Sequence, residues 1–176
     1  MNLPRLRSPA LALIAFALAG MLRLLPTAHA ADPAPKSTRP PIYDETADGA
    51  RQIEAALATA KTNHQRVLLQ FGANWCGWCH KLHQLFAADP KIAARLKSDY
   101  VVVLVDVNKD HNAAINQRYG NPMQFGLPVL VVLDANGKLL TTQDTGKLES
   151  GDHHDPAKVL DFLDRWSPRP AAAAKP

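Results

Sequence analysis

The sequence predicts an α/β domain in which a central mixed β-sheet carries helices on both faces. Stretches with strand character alternate along the chain with stretches whose apolar residues recur at helical spacing. The run from Tyr100 to Val107 (YVVVLVDV) is a continuous apolar strand, which is typical of a strand covered on both faces. Asn136-Gly137 lies between two strand-like runs and indicates a hairpin, so the sheet contains an antiparallel pair.

Several elements are predicted before the Tyr100 strand. A helix over Asp48 to Asn63 precedes a short buried strand, Arg66 to Gly72 (RVLLQFG). A helix with an apolar stripe follows from Cys76. Asp89-Pro90 then pairs an N-cap with a first-turn proline, which indicates the start of another helix.

The elements after that strand complete the alternation. Asn112 to Tyr119 predicts a further helix, and the hairpin joins Val129 to Leu133 with Leu139 to Thr142. Asp155-Pro156 repeats the pairing of N-cap and proline and begins a closing amphipathic helix. Gly151 to Asp155 is expected to be a loop that caps this helix and has no catalytic role.

The first 30 residues have the layout of a secretory signal peptide. Basic residues precede an apolar run from Ala10 to Leu22, and a small-residue pattern ends at Ala30, after which cleavage is expected. The run is shorter than the roughly 20 residues that a membrane span needs. We therefore expect export to the periplasm without stable membrane insertion. A retained anchor is the alternative.

The remaining chain divides by composition. Residues 31–41 form a linker rich in proline and alanine, residues 42–166 form one folded domain, and residues 167–176 form a low-complexity tail. The formal net charge of +4 does not indicate a nucleic-acid partner, because three arginines belong to the predicted signal peptide and the rest of the chain is nearly neutral.

Both cysteines of the chain lie in one short segment, Gly72 to His83 (GANWCGWCHKLH). A bridge between Cys76 and Cys79 closes a very small loop and restricts the unfolded chain little, so its value to stability is low. The spacing therefore indicates chemistry. It is compatible with a redox dithiol, a haem attachment site or part of a metal site.

A haem attachment site would use the pattern C-x-x-C-H, with His80 as an axial ligand and Met123 as a possible second one. The context argues against it. The motif directly follows a predicted buried strand inside an alternating β/α pattern, whereas small cytochromes c are mostly helical.

A zinc or copper site would draw on Cys76, Cys79, His80 and His83. The two cysteines and His83 could share one helix face, and a fourth ligand such as the His153-His154 pair would come from elsewhere in the chain. Nothing in the sequence requires such a site. Each histidine is better explained as a solvated surface side chain. We predict no metal, and a metal chaperone stays an alternative.

The redox interpretation explains the position of the motif. Cys76 lies at the first turn of a helix that follows a strand, where free N–H groups and the helix dipole favour a thiolate. Cys76 would attack a substrate disulfide to form a mixed disulfide. Cys79 would then resolve it and leave a Cys76–Cys79 bridge, and the reaction can also run in reverse.

Two segments of the sequence resemble segments of a known protein family. Phe71 to Leu82 (FGANWCGWCHKL) is similar to the active-site segment of thioredoxin-fold proteins, and Gly126 to Leu130 (GLPVL) is similar to their segment with a cis-proline. The order of elements agrees over most of the folded region. The resemblance points to the small exported thioredoxin-like proteins of Gram-negative bacteria and implies the thioredoxin fold.

The resemblance also implies roles for individual residues. Cys76 would be the exposed nucleophile and Cys79 the resolving thiol. Pro128 would be cis and would leave the backbone of Leu127 free to pair with a substrate strand, and His80 would modulate the thiolate. The residues implied in substrate binding are Trp75, Gly77, Trp78, Leu127 and Pro128.

One departure from the family concerns proton transfer. Thioredoxins carry an acid at the position of Gln70, and the lysine usually paired with it would fall near Leu104. Glutamine cannot titrate, so a proton leaving or reaching the resolving thiol would need water or another side chain, for example His80.

The predicted function is a periplasmic thiol–disulfide oxidoreductase that exchanges disulfides through Cys76 and Cys79. It needs no cofactor. Its partners would be client proteins with cysteines, held as transient mixed disulfides, and an external redox partner that recharges the dithiol. We expect a monomer. A thioredoxin-fold binding module without catalysis is the alternative, beside the zinc or copper chaperone.

Overall fold

A four-stranded sheet forms the centre of the described part of the chain, residues 39–168 of the computed structural model. The predicted signal peptide, most of the linker and most of the tail lie outside these residues. The strands are β1 (Arg66–Gly72), β2 (Tyr100–Asp106), β3 (Val129–Leu133) and β4 (Leu139–Asp144). Their order in the sheet is β2-β1-β3-β4, with β1 and β2 parallel and the other two pairs antiparallel.

Within residues 39–168, five α-helices surround the sheet, and three of them begin after an aspartate N-cap. The side chains of Asp48, Asp89 and Asp155 each accept two backbone N–H bonds from the first turn that follows. These bonds satisfy donors that a helix start leaves without intrahelical partners. The helices are α1 (Gly49–Asn63), α2 (Gly77–Ala88), α3 (Pro90–Asp99), α4 (Ala113–Arg118) and α5 (Pro156–Arg165).

Side chains of β1 alternate between two cores. Leu69 and Phe71 are fully buried on the face that packs against α1, whereas Leu68 is fully buried on the face that packs against α2, α3 and α5. This alternation follows from the two-residue period of a strand. Helices therefore cover both faces of a mixed sheet, and the predicted fold class is confirmed.

The prediction that the Tyr100 strand is covered on both faces is wrong. β2 lies at the edge of the sheet, and Val102 exposes 38% of its surface. Val103 and Val105 point into the core beside α1 and are buried. The side chains on one face of β2 are thus only partly buried. The apolar composition of the run also does not reveal that β2 has a neighbouring strand on one side only.

The segment before α5 is more ordered than the expected loop. Its strands β5 (Glu149–Ser150) and β6 (His153–His154) pair as a short antiparallel hairpin. Asp155 caps α5 as predicted. Within residues 39–168, no helix is both long and apolar enough to cross a membrane.

Candidate active site

The two cysteines form a disulfide at the start of α2. Cys76 is the N-cap residue, and its sulfur accepts a hydrogen bond of 3.1 Å from the backbone N–H of Cys79. The two Cα atoms are 5.3 Å apart. A helix start offers free N–H groups and the positive end of the dipole, so this position favours Cys76 as a thiolate when the bridge is opened.

The disulfide lies close beneath the surface. Cys76 exposes 5% of its surface and Cys79 none, so Cys76 is the more accessible sulfur but is not the exposed residue that the resemblance implies. The reason is the packing around the bridge. Partly buried Ile42, Trp78 and Leu127 cover the buried cluster that contains both cysteines.

The third buried member of that cluster is Tyr43, which no sequence motif indicated. Asn74, in the loop before Cys76, binds it and its neighbour at three backbone points. The Oδ1 of Asn74 accepts 2.9 Å bonds from the N–H groups of Ile42 and Tyr43, and its Nδ2 donates to the Tyr43 carbonyl at 3.0 Å. The motif loop therefore holds the N-terminal segment of the domain against the disulfide.

Gln70 is fully buried under the same helix. Its Nε2 donates to the hydroxyl of Tyr43 at 2.7 Å and to the carbonyl of Cys79 at 3.4 Å, and its Oε1 has no partner among residues 39–168. Leu104 is its register partner on β2, so neither the acid nor the lysine of thioredoxins has a counterpart at these two positions.

His80, the predicted modulator of the thiolate, lies in the first turn of α2. Its Nε2 is 2.8 Å from the carbonyl oxygen of Asn74 and forms a hydrogen bond with it. The ring is thus engaged with the motif loop. Whether it also acts on the sulfur stays a prediction.

The two tryptophans of the motif have different surroundings. Trp75 exposes 53% of its surface, and its Nε1 donates to Asn108 Oδ1 at 3.2 Å. Trp78 is half-buried, with the Nζ of Lys81 4.4 Å from the centre of its ring and the ring of His154 on another side. Trp75 is therefore the tryptophan that a client could contact directly.

The peptide bond between Leu127 and Pro128 is cis, as the resemblance implies. Pro128 is buried at the start of β3, whereas Leu127 is partly buried and packs against the cluster of the two cysteines and Tyr43. The backbone of Leu127 has no hydrogen-bond partner among residues 39–168.

The alternative metal site is not assembled. Within residues 39–168, no three histidine, cysteine or acidic side chains come together in a way that could hold a metal ion. His154, one of its candidate ligands, instead lies buried beside Trp78. Met123, the candidate haem ligand, is half-buried and packs against the core on the α1 side of the sheet.

A family model described as a thioredoxin-like domain matches residues 53–153 of this chain. The chain belongs to the thioredoxin-like domain family. The match includes the disulfide and the cis-proline but begins after Tyr43. Both the family and the fold that the sequence predicts are therefore confirmed.

Two curated relatives and one solved structure illustrate the similarity. The thiol:disulfide interchange protein DsbD of Campylobacter jejuni (strain RM1221) is 33% identical over 91 residues, which are 52% of this chain and 16% of that protein. DsbD of Vibrio vulnificus (strain CMCP6) is 31% identical over 86 residues, 49% of this chain and 14% of that protein.

The solved structure is the disulphide isomerase of Xylella fastidiosa Temecula1. It is 37% identical, with a TM-score of 0.64, and the match covers 70% of this chain and 95% of that one. The curated relatives are much longer proteins, so the chain resembles one part of them. The names of all three agree with the thiol–disulfide chemistry that the C-x-x-C motif predicts.

Proposed function

We propose that this chain is a thiol–disulfide oxidoreductase that exchanges disulfides with client proteins through Cys76 and Cys79. The observation that carries the proposal is a disulfide at the N-terminus of a helix, with Cys76 nearest the surface. A bridge between residues so close in sequence adds little stability, and the helix start supports a thiolate, which is the reactive form.

Oxidation of a client proceeds by two successive thiol–disulfide exchange steps. A client thiolate attacks the sulfur of Cys76, the Cys76–Cys79 bond breaks, and its electron pair leaves on Cys79 as a thiolate. A second client thiolate then attacks the client sulfur of the mixed disulfide and releases Cys76 as a thiolate. The client gains a disulfide and this protein a dithiol. Reduction of a client is the reverse sequence.

The client would bind beside the disulfide on Trp75 and Leu127. Half of the Trp75 surface is exposed and able to cover an apolar client side chain. The N–H and C=O of Leu127 have no partner in the described residues and can pair with an extended client segment, as in strand addition. Gly77, Trp78 and Pro128 would complete this docking surface, and His80 would modulate the thiolate.

The cellular setting follows from the signal-like N-terminus, which precedes the described residues. We propose that the protein acts in the periplasm as a monomer, without a metal, a cofactor or nucleic acid. The chain has two cysteines, both in the dithiol. A redox partner outside the chain must therefore renew its oxidised or reduced form after each exchange.

A redox titration in glutathione buffers tests the proposal. Trp75 precedes Cys76 and Trp78 lies between the two cysteines, so tryptophan fluorescence should report a two-electron transition that the Cys76→Ser variant lacks. A midpoint near the thioredoxin value of about −270 mV would indicate a reductant, and one near about −120 mV an oxidant. A protein without any such transition would not be an oxidoreductase.

A second test of the proposed function traps clients as mixed disulfides. The Cys79→Ala variant should accumulate mixed disulfides through Cys76, because the resolving thiol is gone. The Cys76→Ala variant should accumulate none. If wild-type protein catalysed no exchange and Cys79→Ala captured no client, the chain would be a binding module that keeps the fold alone.

A further inference from the structure

The hydroxyl of Tyr43 and the sulfur of Cys79 share the space beside Gly72. A Cβ atom on Gly72 would lie 2.2 Å from the Tyr43 hydroxyl oxygen and 2.6 Å from the Cys79 sulfur. Those two atoms therefore both border the small volume that the missing side chain leaves. Gln70, which contacts the Tyr43 hydroxyl and the Cys79 carbonyl, carries no charge.

Tyr43 is held in place by contacts that leave its proton available. Asn74 binds its backbone N–H and C=O, and Gln70 donates to its hydroxyl oxygen at 2.7 Å. The hydroxyl therefore accepts one hydrogen bond, and its own proton has no acceptor in hydrogen-bond geometry among residues 39–168. A buried donor without an acceptor is unfavourable and indicates a partner that another state of the site supplies.

We propose that Tyr43 supplies this donor to Cys79 when the bridge opens, in a protein that has Gln70 where thioredoxins have a carboxylic acid. The inference rests on the proposed function and assigns the residue that serves the buried thiol. Opening the bridge leaves an electron pair on the Cys79 sulfur, and the Tyr43 O–H then donates to this thiolate without transferring its proton. In the reverse step the same bond stabilises the thiolate that attacks the mixed disulfide.

The surroundings of Tyr43 keep its hydroxyl protonated. Burial raises the pKa of Tyr43, and the negative charge of Asp106 raises it further, although the bond from Gln70 opposes this. Asp106 is itself buried at the end of β2, where its Oδ2 lies 3.0 Å from His111 Nδ1. Other ionisable groups near this site are Cys76, which belongs to the same buried cluster, and His80 and Arg39 at the first turn of α2. A guanidinium nitrogen of Arg39 would lie 3.5 Å from a Cβ atom on Gly77.

The test measures the pKa of Cys79 alone. In the full chain with Cys76→Ser, the Cβ chemical shift of isotope-labelled cysteine reports the ionisation of Cys79 by NMR. Adding Tyr43→Phe removes only the hydroxyl. The pKa of Cys79 should then rise by about one to two, because a hydrogen bond to a charged group changes equilibria roughly ten- to hundredfold.

Tyr100→Phe is the matched control. Tyr100 is also a buried tyrosine, but its hydroxyl donates to the Leu163 carbonyl at 2.7 Å, on the side of the sheet where α3 and α5 pack. It should leave the pKa of Cys79 unchanged. An equal pKa in the Tyr43→Phe and parent proteins would overturn the inference, and so would equal increases in both tyrosine variants.

A second variant covers the case in which Tyr43→Phe does not fold. A fluorinated tyrosine at position 43 keeps the ring and the hydroxyl but is a stronger donor, so the pKa of Cys79 should fall; an unchanged or higher value would contradict the proposal. This readout does not depend on turnover. Absence of exchange by the wild-type protein would refute the proposed function, whereas the pKa comparison decides the role of Tyr43.

Discussion

The rings of Trp78 and His154 meet at nearly a right angle, with their centroids 5.3 Å apart. This contact joins the residue between the two cysteines to the short β5–β6 hairpin before the last helix. His154 is 3% exposed, and neither ring nitrogen has a hydrogen-bond partner among residues 39–168. The hairpin therefore supports one side of the dithiol with a neutral, buried imidazole.

His154 should make the protein sensitive to acid. Burial, followed by the charges of Lys81 and His153, lowers the pKa of His154 from 6.5 to about 4. Between these values the unfolded chain binds a proton that the folded chain does not, so stability is lost as the pH falls through this window. The loss from this residue alone should be about 3 kcal/mol.

Urea unfolding at several pH values checks this, with His154→Phe as the variant that keeps a buried ring. Between about pH 7 and pH 4 its free energy of unfolding should fall by about 3 kcal/mol less than that of the wild type. His153→Gln removes only the last of the three causes, so it should keep most of the wild-type pH dependence. Parallel curves for wild type and His154→Phe would show that His154 is not buried as a neutral base.

Gly72→Ala should disturb both stability and the dithiol. The new Cβ would lie well inside contact distance of Tyr43 and Cys79, so these buried groups must move, at a cost of about 1–3 kcal/mol. Gly77→Ala is the matched control, because the nearest atom to its Cβ is a nitrogen of Arg39 at 3.5 Å, which is ordinary contact.

Denaturant titration of the two alanine variants measures the difference. Gly77→Ala should be neutral or stabilising by up to about 1 kcal/mol, since alanine favours a helix more than glycine does. If Gly72→Ala proved as stable as the wild type, the space beside Tyr43 and Cys79 would be larger than the structure shows.

Gln70→Glu would restore a titratable group of nearly the same shape beside Cys79. Burial disfavours the charged carboxylate, so the pKa of this glutamate should be raised in the folded state. The folded protein then keeps a proton on this side chain that the unfolded chain releases above about pH 4.3. The free energy of unfolding should therefore decline with rising pH, by up to about 4 kcal/mol at pH 7. Unfolding curves at about pH 5 and pH 7 would show the change, whereas Gln70→Leu should give no such decline.

Trp75→Ala should weaken exchange with protein clients while leaving small reagents unaffected. Loss of an exposed aromatic contact at a docking surface should lower kcat/KM for a disulfide-bonded protein by about tenfold. The rate of bridge reduction by a small dithiol should stay within about twofold of wild type, because such a reagent needs access to Cys76 only.

Leu139→Ala provides the matched control for Trp75. Leu139 exposes 40% of its surface and pairs with Leu133, at the opposite end of the sheet from Gly72 and Val129. It should change neither rate. A Trp75→Ala protein that slowed both reactions equally would indicate damage to the dithiol and not to client docking.

Much of this architecture could be predicted from the sequence because its signals are local. These signals act within a few residues: an aspartate before each proline-led helix, the Asn136-Gly137 turn and the short apolar run of β1. The C-x-x-C motif after a strand likewise placed Cys76 at a helix start. The segment Gly126 to Leu130 resembles the cis-proline segment of thioredoxin-fold proteins, and this resemblance predicted the cis bond before Pro128.

The edge position of β2 and the surroundings of the dithiol depended on contacts between distant parts of the chain. A pattern of apolar residues predicts that a side chain is buried but not which side chains it contacts. The position of Tyr43 near Cys79 and the contact of His154 with Trp78 therefore could not be predicted. The sequence by itself determined the elements and the reactive pair. Only the tertiary structure decided which buried groups surround that pair, because segments far apart in the sequence converge there through packing and hydrogen bonds that have no local signal.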